Sequence, residues 1–176
     1  MKRILTICAC ALVIATPNMA STNGKTPEDT FSLAVFSGRA GAFMPFDDSL
    51  STLDEVWFSF GLDVEFPTGL LNRAKTVVSI DWITHNSGSK NNAFPITINQ
   101  RWYSASNGST QRTYFHLGIG VAIVDFTPSD TLFTGRAGFG WEWNENLFFE
   151  ANFILSGEDK SGNNITGVGG YLGIRF

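Results

Sequence analysis

The stretch that decides the fold lies at the end of the sequence and reads Val168-Gly169-Gly170-Tyr171-Leu172-Gly173-Ile174-Arg175-Phe176. Its apolar residues Leu172, Ile174 and Phe176 recur at every second position, with Gly173 and Arg175 between them. Side chains alternate between the two faces of a β-strand, so this strand has one apolar and one polar face. A strand of this kind needs a paired neighbour and a cover for its apolar face. We therefore expect it to be the closing strand of a β-barrel.

Seven further segments alternate in the same way. Val56–Phe66 is the clearest, because Phe58, Phe60 and Leu62 alternate with small or acidic residues. The eight predicted strands are Phe31–Phe43, Val56–Phe66, Lys75–Thr84, Phe94–Tyr103, Thr113–Asp125, Leu132–Trp143, Leu147–Leu155 and Ile165–Phe176. Their lengths are close to the ~9–11 residues that a tilted strand needs to cross a bilayer, whereas strands of soluble proteins average ~5–6. The segments between them are rich in Gly, Asn, Asp, Ser and Pro, which favours turns.

The first twenty residues have the pattern of a secretory signal peptide. Lys2 and Arg3 precede the apolar run Ile4–Ala15, which is shorter than the ~20 residues of a spanning helix. We expect cleavage after Ala20, with a cut after Ala15 as the alternative. Both cysteines precede either cut, so the mature chain is expected to contain no thiol and no disulfide. The predicted organisation is a signal peptide at 1–20, a short periplasmic segment at 21–29 and one barrel at 30–176.

The composition narrows the class of protein. Only 16% of the residues are charged, against roughly 25% in soluble domains, and 14% are aromatic, with 16 Phe. The net charge is −4 and there is no basic run, so we expect no binding to nucleic acid. No segment after the signal is apolar and long enough for a transmembrane helix. These features favour a transmembrane β-barrel.

Alternation alone fits two opposite structures, since a soluble barrel is apolar inside and a membrane barrel is apolar outside. The polar face here consists mostly of Gly, Ser, Ala and Asn with scattered single charges. Such residues suit the narrow interior of an eight-stranded barrel, which side chains just fill. A solvated exterior would carry many Lys and Glu. The predicted fold class is therefore all-β: an eight-stranded antiparallel up-and-down transmembrane β-barrel, preceded by a cleaved signal peptide.

The same alternation predicts a polar network in the lumen. Its members are expected to be Arg39, Asp63, Glu65, Lys75, Asp81, Arg101, His116, Arg136, Glu142, Glu150 and Arg175. Buried charges must be paired or hydrated. The turn near Leu70 predicts a Glu65–Lys75 pair, and the set Arg39, Arg136 and Arg175 is expected to neutralise Asp63, Glu142 and Glu150. We interpret the network as a structural plug, with a small gated path for water or ions as the alternative.

The aromatic residues near strand ends are expected to form two girdles at the membrane interfaces. They are Trp57, Trp82, Trp102, Tyr103, Trp141 and Trp143. Trp and Tyr concentrate at this depth because one end of the ring is apolar and the other polar.

The sequence predicts no catalytic residue, no metal site and no cofactor. His85 and Ser87 are two residues apart in the sequence, so the imidazole could act as a base for the serine hydroxyl. Most such pairs, however, are solvent-exposed loop residues without a catalytic role. His116 is expected to be a hydrogen-bonded lumen residue. Two histidines and no mature cysteine disfavour a transition-metal site. The carboxylates of Asp47 and Asp48 could bind calcium, but two acidic residues in a loop are not specific for a calcium site.

Five stretches resemble the small eight-stranded outer-membrane barrels of the OmpA/OmpX/OmpW type. They are Gly38–Pro45, Pro95–Tyr103, Tyr114–Val121, Gly138–Glu142 and Tyr171–Phe176. The resemblance implies a location in the bacterial outer membrane, with lipid and lipopolysaccharide as surroundings. It implies that Tyr171, Ile174 and Phe176 form a signal read by the barrel-assembly machinery. An even number of strands puts both termini on one side, which the resemblance makes periplasmic, and we expect a monomer.

Members of this group serve as structural anchors, adhesins or narrow channels, so the expected function is structural or surface interaction, with a narrow channel as the alternative. The lipid A deacylase family, also eight-stranded, carries a His-x-Ser-Asn motif near the end of its seventh strand. The corresponding stretch Phe153-Ile154-Leu155-Ser156-Gly157 contains no histidine. Lipid A hydrolysis is therefore the weakest of the alternatives.

Overall fold

Eight β-strands of nine to thirteen residues make up the structure, a computed structural model that describes residues 34–51, 55–85, 92–104, 111–126 and 129–176. The strands are β1 Val35–Pro45, β2 Trp57–Phe66, β3 Lys75–Thr84, β4 Ala93–Tyr103, β5 Arg112–Val124, β6 Asp130–Glu142, β7 Leu147–Ser156 and β8 Gly167–Arg175. One short helix, α1 (Asp48–Ser51), follows β1. The expected signal peptide and periplasmic segment lie outside the described residues.

The strand bounds agree with the predicted segments. β3 spans Lys75–Thr84 as predicted, and most other bounds differ by one or two residues. The largest differences at described bounds are of two residues: the first strand runs on to Pro45, the sixth begins at Asp130 and the eighth begins at Gly167. Residues 31–33, the predicted start of the first strand, lie outside the described residues. The agreement is close because period-two alternation runs through most of the residues of these strands.

The strands form a closed antiparallel barrel in sequence order. β1 pairs with β2 on one side and with β8 on the other, so that Arg39 lies opposite both Gly61 and Gly173. Closure leaves no sheet edge, and the backbone groups of each strand are bonded to two neighbours. The C-terminal stretch is therefore the closing strand that the sequence predicts.

The connections divide the barrel into two ends. We call the rim that contains Ala34 and Phe176 the termini end; it also carries the turns β2–β3, β4–β5 and β6–β7. We call the opposite rim the loop end; it carries the connections β1–β2, β3–β4, β5–β6 and β7–β8. Among the described residues, no helix is long and apolar enough to cross a membrane.

Turn chemistry accounts for two of these connections. Asn144 turns the chain between β6 and β7, because its side-chain oxygen accepts from the backbone N–H groups of Asn146 and Leu147 at 2.9 and 2.7 Å. The β7–β8 connection contains Gly162 with φ 84°, a conformation that residues with a side chain rarely adopt.

Candidate functional site

The orientation of the strands decides what the lumen contains. On β2, Phe58, Phe60 and Leu62 are 57%, 47% and 67% exposed, whereas Asp63 and Glu65 are 2% and 3% exposed. The apolar face therefore points away from the barrel axis and the acidic face points inward. A soluble barrel would have the reverse arrangement. This inward face is the candidate site, since it gathers most of the buried charges of the described chain.

Arg39 bridges two acidic residues at the centre of the lumen. It projects from β1, and its guanidinium nitrogens lie 2.5 Å from Asp63 Oδ1 and 2.6 Å from Asp81 Oδ1. Tyr171 from β8 lies beside it, with the ring centroid 5.4 Å from the guanidinium carbon. The room for Arg39 comes from Gly61, where an added Cβ would overlap its guanidinium. Three neighbouring strands, β1, β2 and β3, are therefore joined through one side chain.

Glu150 on β7 is the second centre of the network. Its carboxylate lies 2.9 Å from Arg136 Nη2 and accepts the Tyr114 hydroxyl at 2.7 Å. Arg101 and Arg39 are close to the same carboxylate, at 3.4 and 3.7 Å. Arg136 also reaches Asp81 at 3.0 Å, which links the two centres across the lumen. The geometry satisfies the requirement that a buried carboxylate be paired and hydrogen-bonded.

The network continues to the rim at the termini end. Lys75 Nζ lies 2.8 Å from Glu65 Oε1, which is the predicted pair, and Arg101 lies 3.1 Å from the other oxygen of Glu65. Tyr103 donates its hydroxyl to Glu65. Arg175 pairs with Glu142 at 2.5 Å, and Arg112 pairs with the same carboxylate.

A neutral polar layer lies next to the ion pairs. Asn99 donates to Ser79 Oγ and Thr97 Oγ1 at 3.0 and 3.1 Å. His116 is buried beside the Tyr114 ring, and its Nδ1 is 3.9 Å from Glu150. The expectation that His116 would be hydrogen-bonded was wrong, because neither ring nitrogen has a hydrogen-bond partner among the described residues. Glycines on the facing strand make the space: a Cβ added at Gly138 would overlap His116. This layer fills the middle of the barrel with side chains.

The lumen at the loop end is apolar, which the sequence analysis did not predict. Buried apolar residues from α1, from the connections and from strands β1 to β7 form one cluster there: Phe43, Leu50, Trp57, Ile83, Ala93, Ala122, Val124, Phe126, Leu132, Ile154 and Ile165. We call this cluster the apolar plug. The expectation of an interior made mostly of small residues and scattered charges was wrong for this half. Large apolar residues also occupy inward positions where the loops can cover them, which excludes water at that end.

The structure brings all the predicted network residues into the lumen, and the three predicted arginines pair with the three predicted carboxylates. Arg39 pairs with Asp63, Arg136 with Glu150 and Arg175 with Glu142. Arg101, for which no partner was predicted, contacts Asp63, Glu65 and Glu150. Three tyrosines that were not predicted to be in the network also lie in the lumen: Tyr103, Tyr114 and Tyr171. Each of these tyrosines is an even number of residues from an inward-facing residue of its strand, and this spacing could have predicted its position.

The aromatic girdles are made by fewer residues than expected. Trp82 lies on the outer face near the loop end, and Trp102, Trp141 and Trp143 lie on it near the termini end. Trp57 is not part of a girdle: it points inward and packs in the apolar plug, with its ring 4.5 Å from that of His85. Tyr103 also points inward. Whether an aromatic residue faces outward depends on its place in the alternation of the strand, and not on how near it is to the strand end.

The residues of the expected assembly signal face different sides. Ile174 and Phe176 point outward and are exposed, at 80% for Phe176. Tyr171 points inward, where its hydroxyl is 3.2 Å from Ser59 Oγ. Tyr171 therefore has a structural role in the lumen in addition to its place in the C-terminal strand.

One serine considered for catalysis, Ser156, lies at the end of β7. Ser156, at the position of the deacylase serine, donates to Gly157 O at 3.0 Å and accepts from the Ile165 amide at 2.8 Å. Ser87 lies outside the described residues, so the His85–Ser87 pair is not described. Within the ranges that the structure describes, no group of three or more His, Cys, Asp or Glu could hold a metal ion.

Comparison with solved structures identifies the fold. The chain matches Neisserial surface protein A with a TM-score of 0.54 and 13% sequence identity, over 81% of this chain and 94% of that one. It matches the outer membrane enzyme PagL with a TM-score of 0.51 and 13% identity, over 81% of this chain and 98% of that one. No protein-family model and no curated protein sequence matches. The chain therefore has the fold of the small eight-stranded outer-membrane β-barrels.

Proposed function

We propose that this chain is an integral protein of the bacterial outer membrane with a structural or surface-interaction role. The observation that carries the proposal is the orientation of β2, whose apolar face points outward and whose acidic face points inward. Leu62 is exposed and Asp63 is buried, the reverse of a soluble barrel. Exposed Phe, Leu, Ile and Trp side chains continue on the other strands. In water this exposed apolar surface would promote aggregation, whereas in a bilayer it contacts lipid and is favourable.

The orientation and the partners are part of the same proposal. The termini end faces the periplasm, so the loop end faces the outside of the cell. Lipid and lipopolysaccharide surround the barrel, which is a monomer. The barrel-assembly machinery reads the C-terminal strand, whose outward residues Ile174 and Phe176 are accessible.

A filled lumen favours this role over that of a narrow channel. The ion-pair network occupies the half near the termini end, and the apolar plug occupies the half near the loop end. An ion crossing the barrel would have to separate buried ion pairs and enter an apolar region, and both steps are costly.

A non-catalytic role is also favoured over lipid A hydrolysis. A serine nucleophile needs an adjacent base. Ser156 Oγ makes its hydrogen bonds to the backbone of the β7–β8 connection. The two histidines of the chain are His85, which follows β3, and His116, buried in the lumen.

The test is electrophoresis of the outer-membrane fraction in detergent, with one sample left unheated and the other boiled before loading. The folded barrel should resist the detergent, so the unheated sample should run faster than the boiled one. The boiled aliquot is the matched control, because it contains the same chain unfolded. Recovery in the soluble fraction, or equal migration of the two samples, would contradict the proposal.

Planar-bilayer recording separates the structural role from the channel. We expect no current steps above leak from the refolded protein, because the lumen is filled. Vesicles without protein provide the baseline. Reproducible steps of one size would replace the structural role with that of a channel.

A further inference from the structure

The β2–β3 turn leans against the outer face of the barrel wall. The backbone amide of Leu71 donates to Gln100 Oε1 at 3.2 Å, and Trp102 Nε1 donates to Asn72 O at 3.3 Å. Gln100 and Trp102 lie at outward positions of β4, since Arg101 between them is buried in the lumen. The turn is therefore held on the side of the wall that faces lipid in the proposed membrane location.

The side chain of Gln100 accounts for this position of the turn. It is an amide on the outer face of the barrel, but it is only 8% exposed. Its Nε2 donates to Thr76 Oγ1 at 3.0 Å, and its Oε1 accepts from the Leu71 amide. An amide group without partners is costly in an apolar environment. The turn supplies the donor that Gln100 needs, and this bond brings the tip of the turn onto the outer face.

The tip of the β2–β3 turn exposes two large apolar side chains. Leu70 and Leu71 are 78% and 54% exposed. The β6–β7 turn at the same end has the usual composition of a solvated turn, because its residues 144–146 are all polar. Burial of two adjacent leucines against an apolar partner is favourable. Their exposure therefore favours a partner that lies outside the barrel.

Arg73 places a positive charge next to these leucines. Its side chain is exposed, and it makes no hydrogen bond or ion pair with any described residue. Lys75, by contrast, is paired with Glu65. Glu145 is exposed at the same end, but it belongs to the β6–β7 turn, four strands away on the other side of the closed barrel. A guanidinium group without a carboxylate partner is suited to a phosphate group, to which it can donate two hydrogen bonds.

The depth of the turn favours lipid as the partner. Trp102 belongs to the girdle of the termini end, where its ring is stacked on that of Phe115 with the centroids 4.8 Å apart. Tryptophan rings concentrate at the level of the lipid headgroups. Because Trp102 donates to Asn72 O, the turn lies at this level, where acyl chains and phosphate groups meet. A soluble protein would have to displace the headgroups to reach the same leucines.

We propose that the β2–β3 turn is an anchor in the membrane interface. Leu70 and Leu71 insert among the acyl chains of the leaflet at the termini end, and Arg73 binds the phosphate of a phospholipid. This inference rests on the proposed membrane location and adds to it a segment outside the hydrogen-bonded wall. The anchor fixes the depth of β2 and β3 in the bilayer at that end.

The first experiment measures the position of the leucines. The protein, with isotope-labelled leucine methyl groups, is refolded into nanodiscs of phosphatidylethanolamine and phosphatidylglycerol, and faster gel migration of the unheated sample shows that the barrel has folded. Methyl NMR signals are recorded with a spin label on the lipid acyl chains and, separately, with a gadolinium chelate in the water. We expect the lipid label to broaden the Leu70 and Leu71 signals more strongly than the chelate does. Leu62 on the wall and Leu50 in the apolar plug are the references for lipid contact and for burial.

The second experiment measures the contact between Arg73 and lipid phosphorus. In the same nanodiscs, solid-state NMR detects the loss of a guanidinium carbon signal when a phosphorus nucleus is close to it. We expect this dephasing in the unsubstituted protein and its loss in Arg73→Gln. Arg112→Gln is the matched control, because it removes another arginine of the termini end, one that is paired with Glu142. The control should retain the dephasing.

Three results would overturn the inference and leave the membrane location intact. Leu70 and Leu71 signals broadened mainly by the chelate would place the turn in water. Protection of both from the two probes, as for Leu50, would assign the turn to a contact with a second copy of the chain. Dephasing that is absent, or that survives in Arg73→Gln, would remove the phosphate contact. A Leu62 signal broadened by the chelate would instead contradict the proposed function itself.

Discussion

At the scale of single residues, Glu150 has the densest set of partners. It accepts from Arg136, Tyr114 and Asn152 at 2.9, 2.7 and 2.8 Å and lies close to two further guanidinium groups. Replacing the Glu150 carboxylate with an amide would keep the shape of the side chain but remove the negative charge that the surrounding guanidinium groups face. The consequence is an uncompensated positive charge in a buried region of the lumen.

We predict that Glu150→Gln lowers the free energy of unfolding by about 3–5 kcal/mol, the cost of breaking a buried ion pair by removing one partner. The measurement is reversible urea unfolding of the barrel in lipid vesicles, followed by tryptophan fluorescence. Glu145→Gln, on the exposed β6–β7 turn, is the control and should change the value by less than about 0.5 kcal/mol. Equal effects of the two substitutions would mean that the central network contributes nothing to stability.

A second residue-scale prediction concerns Asp159 in the β7–β8 connection. Burial acts to raise its pKa, but hydrogen bonds donated by Asn163 and Ser161 prevail and lower the pKa below the usual value. Because the folded pKa is the lower one, the stabilisation is fully present above the unfolded value of ~3.9 and is lost as the pH falls through the folded pKa.

We therefore expect the Ser161 and Asn163 amides to be protected from hydrogen exchange at neutral pH. Protection, corrected for intrinsic exchange rates, should fall only at strongly acidic pH. Asp159→Asn keeps an acceptor oxygen but cannot titrate, so its protection should not depend on pH in this range. Loss of protection in the unsubstituted protein well above the unfolded pKa of ~3.9 would contradict the assignment to Asp159.

At the scale of elements, glycines on one strand make room for large side chains on the next. Gly138 and Gly140 on β6 lie opposite His116 and Tyr114 on β5, and an added Cβ would overlap these rings. The alternation of small and large residues across a strand pair is how an eight-stranded barrel fills its narrow bore. The identity of Gly140 is therefore set by Tyr114.

Gly140→Ala should destabilise the barrel by about 1–3 kcal/mol, the usual cost of overpacking a filled interior. Gly135→Ala is the control on the same strand, because Gly135 faces outward and its added Cβ meets no close atom. This control should be neutral or stabilising by up to about 1 kcal/mol. The same urea titration measures both, and equal destabilisation would show that steric overlap with Tyr114 is not the cause.

At the scale of the whole molecule, the outer band determines which solvent the fold requires. Leu62 is 67% exposed, so in a soluble protein Leu62→Arg would be almost neutral. In a bilayer the same change buries a charge in hydrocarbon, at a cost of about 2–4 kcal/mol near the midplane. We predict the second result, measured as the free energy of folding into vesicles.

Leu70→Arg provides the control for this prediction. Leu70 is also exposed, but it lies in the β2–β3 turn at the termini end. Its replacement should cost at most about 1 kcal/mol, because charges near the interface remain hydrated. Equal costs for Leu62→Arg and Leu70→Arg would argue against a membrane-spanning barrel.

The positions of the strands and the direction in which their side chains point follow from local sequence patterns. Period-two alternation is a local property, so the outward position of Phe58 and Phe60 and the inward position of Asp63 could be read directly. The Glu65–Lys75 pair could also be predicted, because one short turn sets the register of the two strands.

How the lumen is filled depends on contacts between distant strands of the closed barrel. Arg101 meets Glu150 on a strand 49 residues away, and Trp57 packs with residues from the opposite wall in the apolar plug. Such contacts depend on the closure of β1 on β8 and on which inward side chains share a level. No local pattern encodes the distance across the bore, because it is a property of the closed sheet.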